Sequence, residues 1–316
     1  MKKIIGVVLA FTLLVLSLAA CQGTGTADPT KNQPAGQSTN PPATSAVNSE
    51  TPSATPEMTV SSAPITVISR EDGSGTRGAF TELFGVLDSD KIDQTTDWAE
   101  ITNSTSVMMT SVAGNPDAIG YISLGSLNST VKALLIDGVE ATVDNINNGS
   151  YTISRPFNIA TKEGAGELAQ DFIDFIMSAD GQDIVEANGY IRVEDTGAYD
   201  GSKPSGKIVV GGSSSVSPVM EKLIEGYLAI NTGANIDLQT SDSSTGMNNV
   251  IDGVCDIGMA SRELKDSEHD AGLQDITLAM DGIAVIVNND SPTGGLTKEQ
   301  VRQIFTGEVT NWSEIN

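Results

Sequence analysis

The sequence predicts an α/β protein whose folded part divides in two, and three observations carry that expectation. From residue 65 onward, short Val/Ile-rich runs alternate with segments whose apolar residues recur at helical spacing. Loops rich in glycine and hydroxyl residues join a strand to a helix in both halves. A Gly/Ser/Lys/Pro break at 200–206 separates those halves. Roughly 250 residues follow the low-complexity start, enough for two modest lobes.

Taken in order, 65–68 is a strand and 77–87 a helix, with Phe80, Leu83 and Phe84 at helical spacing. A helix over 106–113 leads through the turn Gly114-Asn115-Pro116-Asp117 into a strand over 119–122. Residues 131–136 and 153–159 are further strands. The helix at 166–177 places Leu168, Phe172, Ile173 and Ile176 on one face. After the break, 207–210 is a strand and 218–230 a helix, with Pro218 in the first turn, where its missing amide costs nothing. Strands at 236–239, 256–259 and 283–287 and helices at 243–250 and 297–305 complete the reading.

The first 20 residues read as a secretory signal: Lys2 and Lys3, then an apolar stretch over 4–18, too short and too terminal for an ordinary membrane span. Leu18-Ala19-Ala20-Cys21 resembles a bacterial lipobox, which would make Cys21 the lipid-bearing first residue of the mature protein. Residues 21–64 lack the large apolar side chains that offset ordering entropy and read as a flexible stalk. The expected location is therefore extracytoplasmic, tethered to the cell membrane through that lipid.

The net charge of −24 excludes a nucleic-acid binder, which needs basic patches. One histidine, His269, and one cysteine besides Cys21, Cys255, cannot assemble a metal centre, so no cofactor is expected. Cys255 reads as a core residue without a disulfide partner, and His269, in the charged stretch 263–270, as a surface residue.

Chemistry concentrates in the loops. Ser69-Arg70-Glu71-Asp72-Gly73-Ser74-Gly75-Thr76-Arg77 and Gly211-Gly212-Ser213-Ser214-Ser215-Val216-Ser217-Pro218 each follow a strand and open a helix, and Ser243-Ser244-Thr245-Gly246 opens a third. Glycines allow the tight turn, while hydroxyls and free amides collect where the helix dipole is positive, which is how a chain holds an anion. The large negative charge does not oppose this, because distant charges are screened and contacting donors are not. Gly73-Ser74-Gly75-Thr76-Arg77-Gly78 also satisfies a dinucleotide fingerprint, with Asp88 and Asp90 near the ribose-acid position. Arg70, Glu71 and Asp72 give it a charged approach where the nucleotide motif is normally apolar, and the two acids would repel a pyrophosphate. For a serine hydrolase, G-x-S-x-G is absent, His269 is the only candidate imidazole base, and S-x-x-K does not appear at either serine-rich loop, so no enzyme is expected.

Gly212–Pro218, Asp256-Ile257-Gly258-Met259-Ala260-Ser261-Arg262, Thr306-Gly307-Glu308-Val309-Thr310-Asn311-Trp312, the 69–76 loop and Ala118-Ile119-Gly120-Tyr121 together resemble the phosphate-binding lipoproteins of bacterial phosphate ABC transporters. The likeness extends over nearly all of 65–316. It implies a two-lobed periplasmic-binding-protein fold of type 2-like form, with mixed sheets, flanking helices and a hinge. It also implies a monomeric receptor that takes inorganic phosphate and passes it to membrane permease subunits. Sulfate or molybdate is the alternative ligand, and a sensor without transport the alternative role.

Residue by residue, the resemblance implies phosphate contacts from Arg70, Ser74, Gly75, Thr76, Ser214, Ser215, Ser243, Ser261 and Arg262, with Asp72 orienting Arg70. Some members carry an aspartate at the position of Arg262, where it accepts the proton of hydrogen phosphate and repels sulfate. The order of the halves is also unusual, since the family commonly starts with the Gly-Ser-Ser-Ser half. A circular permutation or a truncated gene product would each give that order. Permutation makes 130–280 one continuous lobe and splits the other between 65–129 and 281–316.

Overall fold

A computed structural model describes residues 63–315. The expected signal (1–20), Cys21 and nearly all of the stalk lie outside the described residues. Among those described, no helix is long and apolar enough to cross a membrane.

The first half runs β1 (Thr66–Arg70), α1 (Gly75–Phe84), β2 (Glu100–Thr102), α2 (Thr105–Ala113) and β3 (Ala118–Ser123). The short β4 (Lys132–Ala133), β5 (Leu135–Ile136) and α3 (Val143–Asn147) follow. Next come β6 (Ser154–Lys162), α4 (Glu167–Met177), α5 (Ala179–Ala187), β7 (Gly206–Ser213), α6 (Ser217–Ile230), β8 (Ala234–Ser241), α7 (Ser243–Ile251), β9 (Ile257–Ala260) and α8 (Asp266–Asp270). Strand β10 (Leu273–Val287) returns to the first part, where β11 (Gly295–Leu296) and α9 (Lys298–Phe305) finish the chain.

The main sheet has the order β2-β1-β3-β10-β6-β9-β7-β8, with β4 also on β10, and mixes parallel and antiparallel pairs. Strand β10 joins the two parts: its end, from Ile283, pairs antiparallel with β3, while Leu273–Gly282 pairs with β6. Two apolar cores divide along that strand. One gathers residues of 65–153 and 283–312, including Phe80, Tyr121 and Phe305, whose ring centroids lie 3.9–5.6 Å apart. The other gathers residues of 157–279, including Phe157, Phe172 and Tyr227. A smaller cluster around Met247 and Cys255 lies under α7.

This moves the expected boundary at 129/130. Val131, Leu134, Ile136, Tyr151 and Ile153 pack in the first core, so the crossing lies near residue 154. The physical reason is that β4 lies on β10 and β5 on β11, both on the first lobe's side. The expected strand over 131–136 is thus two short pieces, and the strand expected over 283–287 extends back to Leu273.

The ends of the described chain meet. Ile65 N–H donates to the Thr310 carbonyl at 2.8 Å, and Pro64 bridges Asn311.

Candidate oxyanion site

Four helices begin where the lobes face each other. Helix α1 is capped by Ser74, whose Oγ accepts from Arg77 N–H, and α2 by Ser104, whose Oγ accepts from Val107 N–H. Asp242 caps α7, and α6 starts after the Ser213-Ser214-Ser215 turn with proline in its first turn. The first amides of each helix have no intrahelical acceptor, so their partial positive charge faces the space between the lobes.

Into that space the loops put seven buried hydroxyls and one buried guanidinium: Thr76, Thr105, Ser213, Ser214, Ser215, Ser243, Ser261 and Arg70. They are linked across the lobes. Thr76 Oγ1 and Ser215 Oγ share a hydrogen bond at 2.7 Å, and Thr105 Oγ1 reaches Ser215 Oγ at 3.2 Å. Thr105 N–H donates to Ser214 Oγ at 3.3 Å, and Ser213 Oγ donates to Ser261 Oγ at 2.9 Å. Ser261 N–H in turn donates to Ser243 Oγ at 3.1 Å. Arg70 Nη2 donates to Ser214 Oγ at 3.1 Å.

Glycine lets the lobes come this close. A Cβ on Gly75 would lie 2.4 Å from Ser243 Oγ and 2.7 Å from Ser261 Oγ, and one on Gly73 only 2.1 Å from Asp242 Oδ1. Gly73 also accepts from Ser244 N–H at 3.2 Å, a main-chain link between the lobes.

Of the expected contacts, Arg70, Gly75, Thr76, Ser214, Ser215, Ser243 and Ser261 come together in this cradle. Ser74 stands at its edge, with its Oγ committed to the cap of α1, which leaves only the hydroxyl hydrogen for a ligand. Asp72 does not orient Arg70. Its carboxylate is exposed and pairs with Arg77 at 2.8 Å, and Arg70 is held instead by Glu71 through Nε at 2.8 Å and Nη2 at 2.7 Å. Residues 70 and 72 lie on the same side of an extended chain, but the chain turns at Asp72, and the adjacent Glu71 reaches the guanidinium first.

Arg262 does not enter the cradle either. Its two terminal nitrogens donate to Glu268 at 2.8 and 2.7 Å, and a third bond goes to Ser244 Oγ at 3.2 Å. Burial pushes the Glu268 carboxyl up, but hydrogen bonds from Arg262 and the Lys265 amide hold it below its ordinary value, so the pair is ionised. Thr105 and Ser213 were not expected. Ser104-Thr105 shows only as a cap pair before an apolar run, and Ser213 as one serine of three.

Behind the cradle, at the lobe crossing, Arg155 and Asp281 form a buried ion pair at 3.3 Å. Asp281 also accepts from Ser123 Oγ and Gly125 N–H of the first lobe, and Arg155 Nη1 donates to the Ser261 carbonyl at 3.0 Å. Burial raises the Asp281 carboxyl to about 6 against the pull of Arg155 and these donors. Burial also lowers Arg155, so both shifts oppose the ionised pair.

The PBP superfamily domain matches residues 31–180 and 197–316. The chain is 54% identical over 257 residues to a phosphate-binding protein, PstS 2, of Streptococcus agalactiae, covering 80% of this chain and 88% of the relative. This chain belongs to the PstS branch of the PBP superfamily. The crystal structure of a phosphate-binding protein of a phosphate ABC transporter from Streptococcus pneumoniae superposes with a TM-score of 0.64 at 47% identity, covering 80% of this chain and 100% of that one. The PstS of Bacillus subtilis aligns over only 115 residues at 32% identity, 36% of this chain and 38% of its own length.

Proposed function

We propose that this PstS protein is an extracytoplasmic receptor that binds inorganic phosphate between its lobes and delivers it to an ABC permease, without catalysis. The observation that carries the reading is the convergence of four helix starts, seven hydroxyls and one guanidinium on one buried space. Its groups donate from many directions, as a tetrahedral oxyanion requires, and no imidazole stands among them to act as a base. Hydrogen bonds to a charged ligand net about 1.5–3 kcal/mol each, and micromolar affinity needs about 8 kcal/mol. The cradle has donors enough, with a surplus to offset dehydration and lobe ordering.

Hydroxyls accept as well as donate, so they can receive the proton of hydrogen phosphate without an acid at position 262. Calorimetric titration of residues 56–316 with phosphate, sulfate and molybdate, at about pH 6 and pH 8, tests this. Tight phosphate binding with sulfate silent supports the reading. Preference for sulfate or molybdate changes the ligand, and a folded protein that binds none of them refutes it.

Further features are proposed with it. Lipidation of Cys21 would tether a monomeric receptor by its stalk, and Cys21→Ser should release the protein from membranes. The segment order fits a circular permutation of other PstS proteins. The adjoining ends at Ile65 and Thr310 support it, as does an alignment to the Bacillus subtilis protein confined to about a third of the chain. Relinking 206–315 ahead of 63–199 should then preserve folding and binding.

A further inference from the structure

Two cavities border the cradle through different residues, and their electrostatics differ. One borders the cradle through Thr105 and Ser214, and Glu221 is its single charged residue. The other borders it through Gly73, Ser74 and Ser244 and is walled by both lobes. Its charged residues are Arg77, Lys91, Arg262 and Lys265 against Asp72 and Asp93. Four of the 14 lysines and arginines among the described residues thus line one small cavity of a chain with net charge −24.

The two arginines are largely neutralised, Arg77 by Asp72 and Asp93 and Arg262 by Glu268. The lysines, Lys91 and Lys265, are less so: both residues are exposed and neither forms a salt bridge among the described residues, although Lys265 Nζ donates to Ser244 Oγ at 3.4 Å and its charge also acts on Glu268. They come from opposite lobes, so closure brings two ammonium groups toward one space. That costs energy by like-charge repulsion unless an anion lies between them. The segment carrying Lys91 is a tight turn in which Lys91 itself adopts φ 64°, held by Asp88, whose Oδ1 accepts from the Asp90 and Ile92 amides. A lysine on such a turn is placed rather than trailing.

We propose that this cavity is the entry vestibule of the cradle, in which Lys91 and Lys265 draw oxyanions from solvent and set the association rate. The inference rests on the receptor reading above. A chain this acidic repels anions at long range, but beyond a Debye length of about 8–10 Å that repulsion is screened. Near the mouth the local cations dominate, and the arriving ion meets the starts of α1 and α7 next. The other mouth, with Glu221, offers no such attraction. Lysine is suited to the task, because its flexible point charge attracts without the fork geometry that would hold the ion.

Rapid-mixing kinetics with radiolabelled inorganic phosphate test the proposal at about 10 mM and about 200 mM salt. The Lys91→Gln/Lys265→Gln double variant should associate about three- to tenfold more slowly at low salt, with the difference shrinking at high salt and the dissociation rate unchanged. Glu221→Gln, at the other mouth, should leave association as it was. Wild-type association in the double variant, or a change confined to dissociation, overturns the vestibule. If calorimetry shows phosphate binding with an unaltered association rate, only the vestibule falls. If the wild type binds no phosphate, the receptor reading falls and takes the vestibule with it.

Discussion

Two buried polar clusters lie where the lobes meet, and they are built on opposite principles. At the lobe crossing, Arg155 and Asp281 are matched in charge; Asp281 also accepts from Ser123 and Gly125, and Arg155 donates to the Ser261 carbonyl, while Arg155 Nε is buried without a hydrogen-bond partner. At the cradle, one arginine and its neighbour Glu71 stand beside hydroxyls that bond chiefly to one another across the lobes. The first cluster is balanced in charge within the protein. The second consists of groups that can turn from each other to a ligand at little cost, because a hydroxyl rotates and each bond it gives up is replaced. Matched burial thus serves the joint, while adaptable burial serves the binding space.

The largest expected effect breaks the matched cluster. Asp281→Ala leaves Arg155 buried without a countercharge and should cost about 3–5 kcal/mol of stability in urea unfolding. A loss under about 1 kcal/mol would show that water or movement reaches the joint. The pH sign sharpens this. Asp281 is raised above its ordinary 3.8 to about 6, so its contribution is full below about pH 4 and is lost as pH rises through 6. The stability difference between wild type and Asp281→Asn should therefore change across that window and be flat outside it.

At the cradle, Arg70→Ala should lower phosphate affinity by about 2–5 kcal/mol in calorimetry. Near-normal affinity would remove Arg70 from the site. The close approach of the lobes is tested by Gly75→Val, whose side chain must displace Ser243 and Ser261. Overpacking of this kind costs about 1–3 kcal/mol, and small-angle scattering should show a more open molecule. An unchanged closed form would mean that the serines yield. The smallest effect belongs to Arg262→Gln. Because its guanidinium is held by Glu268 outside the cradle, equilibrium affinity should change less than about threefold, under ~1 kcal/mol. A large loss would return Arg262 to the ligand set.

Much of the site was legible because its signals are local. Gly73, Ser74 and Gly75, and Ser214, Ser215 and Ser243, sit at strand-to-helix turns, and a helix start announces itself in a few residues. Thr105 opens a helix in the same way, but its loop has no glycine to mark it. The roles of Asp72 and Arg262 were misassigned for a different reason. A charged side chain's partner is decided by what lies within a few ångströms, and Glu268 reaches Arg262 only because α8 folds back beside it.

The same division holds for the fold. Periodicity and glycine placement, both short-range properties of the chain, were sufficient for the α/β class, most helices and strands, and the glycine- and serine-rich loops of the cradle. The crossing near residue 154, the long β10 shared by both lobes and the Arg155–Asp281 pair depend on contacts between segments more than a hundred residues apart. Asp281 reads in sequence as an acid before an apolar strand. Only the packing of β10 against β3 and β6 removes it from water, and that burial makes it a joint rather than a surface charge.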